Sequence, residues 1–151
     1  MKRIVCLLIL VLTTLLSSTC FAFRDPDPNQ WFFYSQNGTL DIWMHKTDVS
    51  RYQNNNKNGY YDPHYGHVYY TFWVLMQDND TKEEIIFRNK IDIQCRTITN
   101  LQFVKYDENG RVLKSYVDPY PQPEPVVPGT IAAGYCDYWM KMENSNKGIY
   151  R

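Results

Sequence analysis

Residues 67–95 leave this chain few architectures. From Val68 the side chains alternate, with Val68, Tyr70, Phe72, Val74 and Met76 on one face and Tyr69, Thr71, Trp73 and Leu75 on the other. A strand that is apolar on both faces needs cover on both, which predicts a central position in a sheet. Asp78-Asn79-Asp80-Thr81 interrupts it as a polar turn. The next strand places Ile85, Phe87, Ile91, Ile93 and Cys95 inward, with Arg88, Lys90, Asp92 and Gln94 outward. Asn89 is the polar exception on the inner row, and Asp92 reads as a solvated aspartate on the outer one.

The flanking segments extend the same sheet. Trp31–Ser35 and Thr39–Met44 bracket Asn37-Gly38, a two-residue turn whose members both tolerate positive φ. Thr47–Arg51 is a short strand or turn. Residues 53–66, rich in Asn and Tyr, are a low-complexity loop. Thr97–Tyr106 is a β-branched and aromatic strand with a bend or bulge expected at Thr99 and Asn100. Asp107-Glu108-Asn109-Gly110 turns it into a strand over Arg111–Val117. Five prolines between Asp118 and Pro128 deny a ladder and favour an extended crossing.

Thr130 can cap a helix over 131–142, with Ala132, Tyr135, Cys136 and Trp139 forming its apolar stripe. Gly134 weakens that helix, so packing must hold it. Asn144 onward is polar. The expected fold class is α+β: an antiparallel β-sheet of about five or six strands with one C-terminal helix packed on a face and one disulfide.

The first residues belong to a different logic. Lys2 and Arg3 precede an apolar run, Ile4–Leu16, and small residues then lead to Ala22. This pattern predicts a signal peptide over 1–22, followed by a flexible leader over 23–30, one domain over 31–142 and a polar tail over 143–151. An uncleaved anchor and lipidation at Cys20 are the alternatives; for lipidation, Leu16 lies one place further from Cys20 than a good lipobox needs. No later segment reaches bilayer length, so no membrane span is expected in the mature chain. Formal net charge is +0, and losing Lys2 and Arg3 leaves a small acidic excess, which argues against nucleic acid as a partner.

Export also shapes the reading of the cysteines. With Cys6 and Cys20 in the leader, Cys95 and Cys136 remain, and two cysteines in an exported domain most often pair. Closing that loop would contribute roughly 4 kcal/mol through the unfolded state. Two buried free thiols are the alternative.

Catalytic chemistry is not indicated. There is no glycine-rich phosphate loop and no nucleophile elbow, and Asp92 has no evident acidic mate. His64 and His67, with Asp62, form a loose Asp-x-His-x-x-His pattern; these two histidines are weak metal candidates, and solvated or structural roles are the simpler reading. His45 reads as a surface residue at a strand end. No cofactor is expected. Two Asn-x-Thr sequons, at Asn37 and Asn79, fall in turns and read as turn chemistry.

Several short motifs recur in a definite order: Phe72-Trp73-Val74-Leu75-Met76-Gln77-Asp78, Ile91-Asp92-Ile93-Gln94-Cys95, Tyr106-Asp107 with Gly110, and Val127-Pro128-Gly129-Thr130 with Cys136 six residues on. Their order and spacing resemble the surface-adhesin protein E-like domain family of Gram-negative bacteria, over about residues 31–139. The resemblance implies a sheet-plus-helix domain with a Cys95–Cys136 disulfide. It also implies a periplasmic, outer-membrane or cell-surface location and, as in the best-known member, homodimerisation and binding of host extracellular-matrix and serum proteins. The expectation is therefore a non-catalytic, adhesin-like protein-binding module. Its contact surface, chosen by residue type, is Tyr60, Tyr61, Tyr65, Tyr69 and Trp73. The alternative is a periplasmic inhibitor or accessory protein of a cell-wall enzyme, with residues 53–66 entering the enzyme's cleft.

Overall fold

The computed structural model describes residues 25–55 and 63–149. Its strands are β1 (Trp31–Asn37), β2 (Leu40–Gln53), β3 (Val68–Asp78), β4 (Glu84–Asp92), β5 (Thr97–Tyr106), β6 (Val112–Val117) and the two-residue β7 (Glu124–Pro125). One helix, α1 (Ile131–Ile149), follows. The strands form one antiparallel sheet in chain order from β1 to β6, with β7 pairing β5 beyond the end of β6. The expected α+β architecture is what the structure shows. Residues 1–22, read as a signal peptide, and the start of the leader segment 23–30 lie outside the described residues.

The turns form as their residues require. Asn37 pairs with Leu40 across a two-residue loop, and Gly38 takes φ 60°. Gly110 takes φ 79°, while Asp107 Oδ1 accepts the N–H groups of Asn109 and Arg111. The irregularity expected near Thr99 and Asn100 is present: Arg88 pairs Gln102 and Asn89 pairs Asn100, so Leu101 is the extra residue.

Strand β2 is longer than its sequence suggests, because a second irregularity between Met44 and Val49 lets pairing resume as far as Gln53. His45 supports that detour. Its Nδ1 accepts the Asp48 N–H at 2.9 Å, and its ring meets Trp31 edge-on at 4.9 Å.

The core lies between α1 and one sheet face. Strand β3 sits mid-sheet and contributes Val68, Tyr70, Phe72 and Val74, beside Ile42 and Met44 of β2 and Ile91 of β4. Tyr135, Cys136 and Trp139 come down on them from the helix. Trp139 stacks on Tyr70 with centroids 4.6 Å apart, and Phe72 meets both Tyr135 and Trp139. Each such side chain contributes about 1.5–3 kcal/mol through burial.

The other sheet face has no second layer among the described residues. Two of its aromatic rings lie under cations: Lys90 is 4.4 Å from the Tyr69 ring and Arg88 5.6 Å from the Trp73 ring.

Helix α1 starts where Thr130 Oγ1 accepts the Ala133 N–H at 3.3 Å, so Thr130 caps it as its sequence suggests. The helix does not stop at Met142. It continues to Ile149, through most of the stretch that reads as a polar tail. The reason is Glu143, which is 4% exposed and takes two bonds from Arg51 at 2.8 Å and one from the Tyr70 hydroxyl at 2.7 Å. A polar residue on the buried stripe is thus fully partnered. The stripe itself runs through Ala133 rather than Ala132.

The expected disulfide is not formed: Cys95 and Cys136 are both free thiols. Cys95 does not prolong the inner row of β4. The strand ends at Asp92, whose Oδ1 accepts the N–H groups of Gln94 and Cys95, both at 3.0 Å. The resulting turn exposes Cys95, while Cys136 is buried against the sheet in α1. Burial raises the Cys136 thiol's pKa; burial and then the Asp92 charge raise that of Cys95. The helix is held by packing and by Glu143, not by a covalent staple.

Candidate metal centre and open sheet edge

Three short segments meet at the end of the sheet where β3 begins and β4 ends. The turn 63–66 closes with the His67 N–H donating to the His64 carbonyl at 3.1 Å. This turn brings the two imidazoles together at 90°, with centroids 5.1 Å apart. Asp92 comes from the last position of β4 and Cys95 from the turn that Asp92 itself caps.

Asp92 is not the solvated residue its alternation suggests. It is 5% exposed, because β3 and the 63–67 segment cover it. Its Oδ2 lies 2.8 Å from His67 Nδ1 and 4.0 Å from His64 Nδ1. Cys95 Sγ lies 3.7 Å from His67 Nδ1. The ligand atoms of His64, His67, Asp92 and Cys95 all fall within 4.8 Å of one another.

The electrostatics of this cluster favour a charged carboxylate. Burial works to raise the Asp92 pKa. The Cys95 N–H, the His67 ring and the Gln94 N–H oppose it and bring the value below the usual carboxylate range. Beside the cluster, on the sheet face away from the helix, is a cavity of about 220 Å³. His64, Asp92, Tyr69, Lys90 and the rings of Pro121 and Pro123 line it.

The opposite side of the sheet ends in an open edge. Strand β6 pairs with β5 on one side only, and all its residues are exposed. Val112, Leu113, Tyr116 and Val117 are among the largest exposed apolar side chains, and Tyr120 just beyond is 80% exposed.

Below β6 the proline segment occupies the same edge. The Asp118 N–H donates to Leu101 at 3.1 Å and the Val126 N–H to Arg96 at 2.9 Å, so the chain runs antiparallel to β5 with only a two-residue ladder between. Pro121 and Pro123 face the outer cavity. Asp118, Gln122 and Glu124 face the helix side, where they line a second cavity of about 360 Å³ with Met76, Phe87 and Tyr135. Asn89, the polar exception of the inner row, lines this cavity too.

Three of the five aromatic residues singled out in the sequence, Tyr65, Tyr69 and Trp73, fall within the described residues. Tyr60 and Tyr61 lie outside the described residues. Tyr65 is exposed in the turn beside His64. Tyr69 stacks on Tyr52 at 6.1 Å under Lys90, and Trp73 lies further along the same face under Arg88. Four large exposed apolar side chains lie together on β6.

His64 and His67 do meet, and Asp62 lies outside the described residues. Sequence reading missed Asp92 and Cys95 as their companions. The available signal was spacing: His64-x-x-His67 and Asp92-x-x-Cys95 are both i, i+3 donor pairs, one before a strand and one closing its partner. Compared with known proteins, the chain matches no family model, no curated protein and no solved structure.

Proposed function

We propose that this chain is an exported, non-catalytic protein-binding module of the bacterial envelope that takes a partner segment along β6. The observation that carries this reading is the edge itself: a strand of 6 residues, all exposed, with four large apolar side chains and pairing on one side only. An extended segment adding to such an edge gains main-chain hydrogen bonds, and a nearby pocket gives selectivity. The 360 Å³ cavity opens at the lower end of β6 and carries Asp118 and Glu124, which suits a basic side chain on the partner. The leader-like residues 1–22 and the resemblance to the surface-adhesin protein E-like family support export and a host matrix or serum protein as partner.

The test is saturable binding of the purified chain to immobilised extracellular-matrix and serum proteins, with protease accessibility in intact cells to locate it. Micromolar binding that falls at least tenfold in Leu113→Lys/Val117→Lys is expected. No saturable binding at micromolar concentration, or equal binding by the double variant, overturns the reading.

A further inference from the structure

We propose that His64, His67, Asp92 and Cys95 form a zinc site that clamps the start of β3 to the turn after β4. The four donors come from three backbone segments, and their ligand atoms already lie within 4.8 Å of one another. Bonds of about 2.0–2.3 Å to one tetrahedral ion require donor–donor edges of roughly 3.3–3.7 Å. The separations of 2.8, 3.7 and 4.0 Å around His67, Cys95, Asp92 and His64 straddle that range. Closing the tetrahedron takes shifts of about 1 Å, chiefly in the exposed His64 and Cys95, with the His67–Asp92 pair opening slightly.

Donor chemistry selects the metal. Two imidazoles, one carboxylate oxygen and one thiolate suit Zn²⁺, while Ca²⁺ and Mg²⁺ need more oxygen ligands than are present. Asp92 offers only one free oxygen, because Oδ1 is engaged by the Gln94 and Cys95 N–H groups. Those two bonds orient the carboxylate as a supporting shell does in a built metal site.

Binding balances simply. The Cys95 thiol releases its proton to solvent, the imidazoles bind in their neutral forms, and Zn–S, Zn–O and two Zn–N bonds replace the His67–Asp92 hydrogen bond. The charges of the thiolate and the carboxylate cancel that of the ion, so a neutral unit sits against the buried Asp92. His64 and Cys95 are exposed, which gives the ion a path in.

With all four ligands from the protein, the site is structural. It sits at the far end of the sheet from the proposed partner edge's open strand, and it stands or falls independently of that reading.

The experiment is a titration of the full chain, stripped with chelator and kept reduced, with zinc chloride by calorimetry and with cobalt(II) by absorption. One equivalent of zinc should bind, and cobalt should show tetrahedral ligand-field bands with a thiolate-to-cobalt charge-transfer band. Since loss of a supporting contact alone costs 10–100-fold in metal affinity, His64→Asn and Cys95→Ser should each weaken zinc by at least about tenfold. Cys95→Ser should also remove the charge-transfer band. Both positions are exposed, so neither variant disturbs the core. No stoichiometric uptake at micromolar zinc, or unchanged affinity and spectrum in both variants, overturns the proposal.

Discussion

Arg51 reaches from the far half of β2 to Glu143 on α1, placing its Nε and Nη2 each 2.8 Å from a different carboxylate oxygen. This fork joins residues far apart in sequence and is completed by the Tyr70 hydroxyl at 2.7 Å. Glu143 is 5% exposed at its side chain and Arg51 41%, so the pair has one buried end and one wet end. Glu143→Ala removes the acceptor for both partners and leaves the Tyr70 hydroxyl under the helix with only Arg51 beside it. We expect a loss of about 2–4 kcal/mol in chemical denaturation, with Arg51→Ala costing less because its guanidinium returns to water. Hydrogen exchange should rise first in the last turns of α1.

Alkali should destabilise the fold through its buried tyrosines. Tyr70 is pushed up to about 12, first by burial and then by its bond to Glu143. Tyr135 and Tyr34 are also raised, burial again being the main cause. A phenol whose folded pKa is raised contributes stability that is fully present below its unfolded value of about 10, and that is lost as pH rises toward the folded value. Stability should therefore stay flat with respect to these groups up to about pH 10 and fall above it. Tyrosinate absorbance should show a late class of rings that ionise only as near-ultraviolet dichroism is lost.

Trp139 packs on Tyr70 and Phe72, yet its buried indole N–H finds no acceptor among the described residues. Trp139→Ala should cost about 3–5 kcal/mol by opening a cavity in the core. Trp139→Phe keeps much of the ring and removes the orphan donor, so its cost should be under about 2 kcal/mol. Paired urea melts of the two variants check the ordering.

Thiol chemistry separates the two cysteines. Cys95 is exposed and Cys136 buried, and both are free. An alkylating reagent should modify Cys95 in the native protein and Cys136 only in denaturant, read by peptide mass mapping. Reductant should leave the melting temperature unchanged.

Much of the sheet was legible because it is written in period two. β3 and β4, the Asn37-Gly38 and Asn109-Gly110 turns and the irregularity near Asn100 follow from side-chain alternation and backbone permissiveness alone. What stayed hidden depends on tertiary encounters. Cys95 looked like the last member of an inward row, but Asp92 ends the strand by accepting the next N–H groups. Asp92 looked solvated because its face is polar, and the covering segment 63–67 is distant in sequence. Glu143 looked like the start of a tail because a carboxylate reads as exposed unless Arg51 and Tyr70 are known to await it. The metal candidate was half visible for the same reason: one histidine pair is local, while its two companions arrive through strand pairing.

The proline segment below β6 sets a length limit on whatever adds to that edge. Val112–Val117 offers 6 residues, and immediately below it the same edge of β5 is taken by a chain that pairs over only 2. An incoming strand therefore finds about 20 Å of template, at roughly 3.4 Å per residue, and then meets residues lacking the N–H a ladder needs. Copies of this chain can meet edge to edge over a short span, but a continuous cross-strand fibre cannot extend along the full height of the sheet. The same prolines that break the ladder inside the molecule act outside it as a ruler, admitting a short partner segment and arresting polymerisation.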